Sequence, residues 1–240
     1  MAEDGQRVAL VTGGSRGIGR AVVEALAGDG WRVFFCSLNR GSVDKALERF
    51  SASFGDRVEG RPVDVRRQEE VDAFVSWVTE RAGRIDVLVN NAGLGRFGAV
   101  DELSGDEWRE VLQANLDGPF YFLRAVAPVM KEHGGGYVFN VASLAAKNPF
   151  AGGAAYNASK FGLLGLSDAA MLDLRHDGIR VSVILPGSVE TEFHRRRRDD
   201  TSWMLGTEDV ARAVMDLLAY PDRALPSRIE LRPSQPPKKG

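Results

Sequence analysis

Tyr156 and Lys160 stand four residues apart, and Ser143 lies thirteen residues before the tyrosine. On a helix, side chains at i and i+4 share one face, one turn apart. A phenol ionises near pH 10 and is a poor proton donor or acceptor at neutral pH. A neighbouring ammonium favours the phenolate and lowers that value. Lowering it by about three pH units requires about 4 kcal/mol of differential stabilisation, of which one lysine supplies part. A tyrosine tuned in this way exchanges a proton with an alcohol or carbonyl oxygen. Taken alone, the pair reads first as an aromatic ring packed on a lysine stem. The elements around it decide whether it is more.

The pair requires a helix, and Tyr156 to Arg175 supplies one. It is rich in small and apolar residues (Ala158, Phe161, Gly162, Leu163, Leu166, Ala169, Ala170, Leu172). Apolar residues on more than one face suggest packing against another subunit. Ser143 follows a strand at Gly136 to Val141. At the other end of the chain, the apolar run Arg7 to Thr12 leads into Gly13-Gly14-Ser15-Arg16-Gly17-Ile18-Gly19. Ala21, Val22, Ala25 and Leu26 follow at helical spacing. Strand, glycine turn, helix is an arrangement that lets backbone approach a pyrophosphate and offers it helix N–H groups. The spacing is Gly-x-x-x-Gly-x-Gly, and such a turn can also be purely structural; its place after the first strand favours a dinucleotide.

Arg32 to Ser37 is the second strand. No carboxylate follows it to hold a ribose 2′-hydroxyl; the residues are Ser37, Leu38, Asn39 and Arg40. Arg16 and Arg40 could pair with a 2′-phosphate, or both could be solvated; the first reading makes NADP the expected cofactor, with NAD as the alternative. Val43 to Phe50 and Val71 to Val78 carry helical stripes. Val58 to Val63 is a third strand ending at Asp64-Val65, and Ile85 to Val89 a fourth ending at Asn90-Asn91-Ala92-Gly93. Small residues at a strand's carboxyl end mark where an open α/β sheet meets its ligand. A long helical region runs from Trp108 through Val129, with an interruption expected near Gly118-Pro119. Asn115 lies inside it, an unfavourable helix position that suggests a specific partner. Ile179 to Leu185 is a sixth strand closed by Pro186-Gly187, and Arg228 to Leu231 a seventh. Residues 188–206 read as irregular, with arginines at 195–198 that are either a solvated surface or a greeting for an anionic substrate. Thr207 is expected to cap the last helix, and the tail 233–240 to be loose. Strands alternating with helices give an α/β fold: a parallel seven-stranded sheet with helices on both faces, in one domain spanning 1–240.

Composition sets the bounds. The chain has 240 residues, 44% hydrophobic and 27% charged, with a net charge of −2. No general affinity for nucleic acid or acidic membrane is expected. A single cysteine, Cys36, excludes an intramolecular disulfide, and three scattered histidines show no metal-ligand spacing. The polar, acidic start is unlike a signal peptide and no apolar run reaches membrane-spanning length, so a cytoplasmic protein is expected.

In order along about residues 6–232, Thr12-Gly13-x-x-x-Gly17-x-Gly19, Asp64, Asn90-Asn91-Ala92-Gly93, Asn115, Ser143, Tyr156-x-x-x-Lys160 and Pro186-Gly187 with Thr191 resemble the short-chain dehydrogenase/reductase family. The resemblance implies a Rossmann-like three-layer fold, a nicotinamide cofactor, a small carbonyl or alcohol substrate and often a homodimer or homotetramer. It implies Tyr156 as general acid/base, Lys160 lowering its pKa and holding the nicotinamide ribose, Ser143 on the substrate oxygen, and Asn115 holding a water that links Lys160 to solvent. A bound oxidised nicotinamide would add positive charge beside the phenol. Gly13, Ser15, Arg16, Gly17, Ile18 and Gly19 would line the phosphates and adenosine ribose. Asp64 and Val65 would meet adenine, Asn90, Ala92 and Gly93 the adenosine side, and Pro186, Gly187, Val189 and Thr191 the carboxamide and pyrophosphate. Many NADP-preferring members carry an arginine where this chain has Leu38, which leaves Arg16 and Arg40, beside Ser37 and Asn39, to recognise the 2′-phosphate. Reduction of a 3-oxoacyl thioester, and a cofactor-sensing protein without turnover, are the competing readings.

Overall fold

The computed structural model describes residues 5–191 and 200–237. Seven strands, β1 (Val8–Thr12), β2 (Arg32–Ser37), β3 (Val58–Pro62), β4 (Val87–Asn90), β5 (Gly136–Val141), β6 (Ile179–Pro186) and β7 (Arg228–Leu231), form one sheet. Its order is β3-β2-β1-β4-β5-β6-β7. Every pairing is parallel. The order reverses at β1, so the crevice between the carboxyl ends of β1 and β4 is where an open sheet of this kind takes a ligand.

The strands are apolar because both faces are covered. Ala9 and Val11 of β1 face one layer while Val8 and Leu10 face the other, the period of two that a strand imposes. The first layer holds α1 (Gly17–Gly28), α2 (Arg40–Phe54) and α7 (Thr207–Leu218), through Val22, Leu26, Phe50 and Val214. The second holds α3 (Gln68–Ala82), α5 (Gly118–Glu132) and α6 (Ala154–Leu174), through Phe74, Val78, Phe122, Val126 and Ala170.

The structure corrects two expectations. The helical region does not break at Gly118-Pro119. α4 (Gly105–Leu112) passes through π-helical turns at Gln113–Asp117 directly into α5. Pro119 has no N–H to close the usual rung onto the Asn115 carbonyl, so a wider turn carries the helix past it. Thr207 is the first residue of α7 and not its cap; Gly206 is the cap, its N–H donating to Asp209 at 2.8 Å. The described residues between β6 and α7 are irregular as expected, apart from one bridge between Val189 and Leu205. The arginines at 195–198 lie outside the described residues, as does the end of the tail from 238. At 233, the tail packs on the sheet: a Cβ on Gly187 would stand 3.0 Å from the Pro233 ring.

Candidate active site

The carboxyl ends of β1, β2, β4, β5 and β6 open onto a cavity of about 560 Å³, a size that suits a small ligand or cofactor. Of the expected site residues, Gly13, Ser15, Arg16, Gly17, Ile18, Ser37, Asn39, Asp64, Val65, Ala92, Gly93, Ser143, Tyr156, Lys160, Pro186, Gly187, Val189 and Thr191 line it. Gly19, Arg40, Asn90 and Asn115 lie outside that lining, each for a physical reason given below.

At one end, the backbone makes the site. Gly13 and Gly17 have φ of +68° and +55°, open to glycine at little cost. The turn is tied to β2 by Gly14 N–H on the Cys36 carbonyl at 3.1 Å and Ser15 N–H on Ser37 Oγ at 3.2 Å. α1 begins with no side-chain cap, so its first N–H groups are not taken by a neighbouring oxygen of the cap residue. A Cβ on Gly19 would stand 2.2 Å from the Gly13 carbonyl oxygen. Gly19 therefore closes the turn on itself and does not line the cavity. Thr12 Oγ1 accepts from Asn91 N–H and Ala92 N–H, both at 2.9 Å, and Asn91 Nδ2 returns a bond to the Thr12 carbonyl at 3.0 Å. This weld between β1 and β4 was not read from the sequence, because it joins residues 79 apart.

Beyond β2, Asn39 spends its amide as the cap of α2, accepting from Ser42 N–H at 3.1 Å. Arg40 sits in the first turn of that helix, outside the lining and exposed. Leu38, 63% exposed, fills part of the wall instead. Arg66 also lines the cavity, a residue the sequence did not single out. Its guanidinium takes Asp64 in two parallel bonds, at 2.8 and 2.7 Å, and Glu110 at 3.0 Å. The Arg66 side chain holds the Asp64 carboxyl below its usual range.

At the other end, side chains make the site. Ser143 caps a short 3-10 turn at Leu144–Ala146, accepting from Ala145 N–H at 3.1 Å. Its hydroxyl lines the cavity together with the Tyr156 phenol and acts to lower it. Lys160 is buried, with Nζ donating to the Val141 carbonyl at 3.1 Å and standing 5.7 Å from the centre of the Tyr156 ring. Burial pushes the Tyr156 phenol up, and Ser143 only partly opposes it. Burial pulls the Lys160 ammonium down to about 8. In the protein by itself, burial disfavours the charged form of both groups.

Asn115 is buried, and its amide is spent. Oδ1 accepts from Leu94 N–H at 2.8 Å, while Nδ2 donates to the Leu94 carbonyl at 2.9 Å and to Ser159 Oγ at 3.0 Å. Ser159 in turn donates to the Tyr156 carbonyl at 2.8 Å. The side chain thus clamps the β4–α4 loop to α6. A Cβ on Gly93 would stand 2.9 Å from Asn115 Oδ1, which explains a glycine there. Asn90 is a correction. Its amide donates to Asn140 Oδ1 at 2.9 Å, and Asn140 donates to Ser167 at 2.8 Å, under the cavity floor. Alternation along β4 turns Asn90 inward, and the next residue, Asn91, meets the cavity.

The thiol of Cys36 is buried and pushed up to about 12, an inert core group. Among the described residues no group of three or more His, Cys, Asp or Glu is placed to hold a metal ion. No described helix is long and apolar enough to cross a membrane.

The glycine turn, the uncapped start of α1 and the lack of a Cβ at Gly13 and Gly17 fit a dinucleotide along the floor of this cavity, with Tyr156, Lys160 and Ser143 at its far end. Known proteins bear the same stamp. The chain is 38% identical over 213 residues to a Streptomyces coelicolor protein named as a ketoacyl reductase, covering 87% of this chain and 81% of that one. It superposes on a metagenomic short-chain oxidoreductase in complex with NADP with a TM-score of 0.84 at 35% identity, covering 96% and 98% of the two chains. On an alcohol dehydrogenase from the archaeon Thermococcus sibiricus, complexed with 5-hydroxy-NADP, the TM-score is 0.89 at 30% identity, covering 98% and 100%. The short chain dehydrogenase family model matches residues 7–202. With that match spanning most of the sheet and the whole of the described site up to Thr191, the chain belongs to the short-chain dehydrogenase/reductase family of nicotinamide-dependent oxidoreductases.

Proposed function

We propose that the protein interconverts a ketone and a secondary alcohol with NADP(H), Tyr156 giving or taking the proton. The observation that carries the reading is that Ser143, Tyr156 and Lys160 line one end of the cavity that begins at the glycine turn, with the Ser143 hydroxyl acting to lower the Tyr156 phenol. A carbonyl oxygen placed between these hydroxyls meets two donors aimed at the charge that develops on it. A reduced nicotinamide cofactor held along the glycine turn would supply the hydride for the carbonyl carbon. Tyr156 then passes its proton to the oxygen, and takes it back in the oxidative direction. Lys160, whose ammonium is held near Val141 and the Tyr156 ring, stabilises the phenolate and would bond the nicotinamide ribose. Asn115 acts through Leu94 and Ser159, fixing the loop and helix that frame the pair.

NADP is favoured by Arg16 in the cavity wall, by Ser37 and Ser42 hydroxyls near it, and by the absence of a carboxylate after β2. The solved relatives with NADP or its hydroxy derivative support the same choice. Arg40 contributes little, since it lies outside the lining. Initial rates with NADPH and NADH at equal subsaturating concentration test this, and a preference for NADH refutes it. Reduction of a 3-oxoacyl thioester is the second reading, favoured by the name of the Streptomyces coelicolor relative. An oligomer, dimer or tetramer, is supported by large apolar residues standing exposed on neighbouring helices: Trp108, Phe120, Phe161 and Leu172. The unpaired Cys36 fits a reducing, cytoplasmic compartment.

A further inference from the structure

Two phenylalanines stand beside Tyr156 with nearly half their surface in water: Phe97 at 48% and Phe150 at 46% exposed. The three rings form a compact triangle. Phe97 lies 5.7 Å from Tyr156, Phe150 lies 6.3 Å from it, and the two phenylalanines are 6.0 Å apart. All three pairs are tilted, at 41° to 56°, so no ring covers another face to face. Phe97 and Phe150 keep nearly half their surface exposed, area that a further apolar group can meet in offset or edge contact.

These rings are not on slack loops. Phe97 is held from both sides: Leu94 is clamped by Asn115, Arg96 is paired with Glu110 at 2.7 Å, and Gly98 N–H donates to the Gly152 carbonyl at 2.9 Å. The Phe150 carbonyl accepts from Asn157 Nδ2 at 2.9 Å, one residue from Tyr156 on α6. A bridge between Gly98 and Gly153 joins the two loops. Gly153 permits this closeness, since a Cβ there would stand 2.5 Å from the Phe150 ring. Backbone this well anchored keeps large apolar rings in water beside the proton donor, an arrangement that folding alone does not reward. The cations of these loops are already engaged. Arg96 is with Glu110 and Lys147 with Glu230, which leaves no unpaired cation on either loop for a carboxylate or phosphate.

We propose that the aromatic wall of Phe97 and Phe150 is a substrate subsite for the ring of an uncharged alicyclic or aromatic ketone, or of the matching alcohol. It rests on the ketone reading above and narrows it. A rigid ring fills the wall with few rotors to freeze, whereas an open chain of the same size loses more conformational freedom on binding. A linear 3-oxoacyl thioester makes poorer use of it.

The test compares cyclohexanone with 3-hexanone, of equal carbon count, by NADPH oxidation in the wild type and in Phe97→Ala, Phe150→Ala and the double variant. Intrinsic carbonyl reactivity is the same in every protein and cancels from the comparison. The cyclic-to-acyclic ratio of kcat/KM is expected to fall at least tenfold in the double variant, through KM for the ring ketone. Smaller losses are expected in the single variants, and partial retention in Phe97→Leu with Phe150→Leu, which keep apolar bulk if the alanines fold poorly. An unchanged ratio overturns the proposal, as does a change of oligomeric state in the variants on gel filtration, which would make the rings a subunit contact. If the wild type reduces neither ketone, saturation-transfer NMR of cyclohexanone with the NADP-loaded protein separates the two readings. A signal lost in the double variant keeps the ring subsite and removes the redox role, and no signal in the wild type removes both.

Discussion

The two ends of the cavity are built on opposite plans. Around the glycine turn the contacts are backbone: N–H groups, two glycines at positive φ, and close approaches that leave no room for a Cβ. Around Tyr156 they are side chains, and the important ones do not touch the reacting space at all. Asn115 and Ser159 lie behind it, gripping Leu94 and the Tyr156 carbonyl. A backbone site is specified by what is missing from a residue. A side-chain site is specified by what each residue leans on. The first is tied to β2 and β4 by hydrogen bonds; in the second, burial pushes phenol and amine both toward neutrality.

The largest break in this comparison should come from Tyr156→Phe. Deleting one oxygen removes the proton path, and general acid–base catalysis contributes typically ~10² to 10⁴-fold. A fall of about 10³-fold in kcat with NADPH affinity nearly unchanged is expected from steady-state rates and fluorescence titration. The converse break belongs at the other end. Gly19→Ala drives a Cβ to 2.2 Å from the Gly13 oxygen, whereas Gly28→Ala meets nothing within 4 Å. Calorimetric titration should show NADPH binding weakened by ~100-fold in the first variant, about 2.7 kcal/mol, and unaltered in the second.

Asn115→Ala sharpens the side-chain half of the contrast. It leaves Leu94 N–H and C=O without their partner, a loss of about 1–3 kcal/mol. Thermal denaturation should record that loss. Turnover should fall by about tenfold while cofactor affinity changes far less, because the clamp serves the substrate end. The smallest effect is expected where the ends meet. Glu110 pairs with Arg66, beside Asp64, and with Arg96 from the Phe97 loop, all partly exposed. Such pairs are worth about 0–1 kcal/mol each. Glu110→Gln should raise KM for both NADPH and ketone by only a few fold; an effect confined to one of them would show the ends to be independent there.

The same contrast explains what could be read from the chain. The glycine-turn end was legible because strand, glycine turn and helix are consecutive in sequence. Tyr156 and Lys160 were legible because one helix carries both. Thr12 with Asn91, Asn115 with Leu94, and Arg66 with Glu110 were not, since each couples elements that only the sheet order brings together. Asn90 shows a finer limit. Two asparagines in succession at a strand end point to opposite sides, and only the register says which one reaches the cavity. Gly118-Pro119 looks like a helix break by composition, yet π-helical turns absorb it. The triangle of Phe97, Phe150 and Tyr156 was equally hidden, because it depends on the Gly98–Gly153 bridge between two distant loops.

If burial pushes phenol and amine toward neutrality at the catalytic end, the cofactor must complete the priming. The direct measurement is an ultraviolet titration of tyrosinate in the wild type minus Tyr156→Phe, with and without saturating oxidised cofactor. Without it, the Tyr156 phenol should ionise above its ordinary value near 10, because burial dominates. With it, the added positive charge should bring ionisation down by units of pH. A phenol already ionised below 10 in the free protein, or one that titrates identically with cofactor bound, would contradict this division of labour.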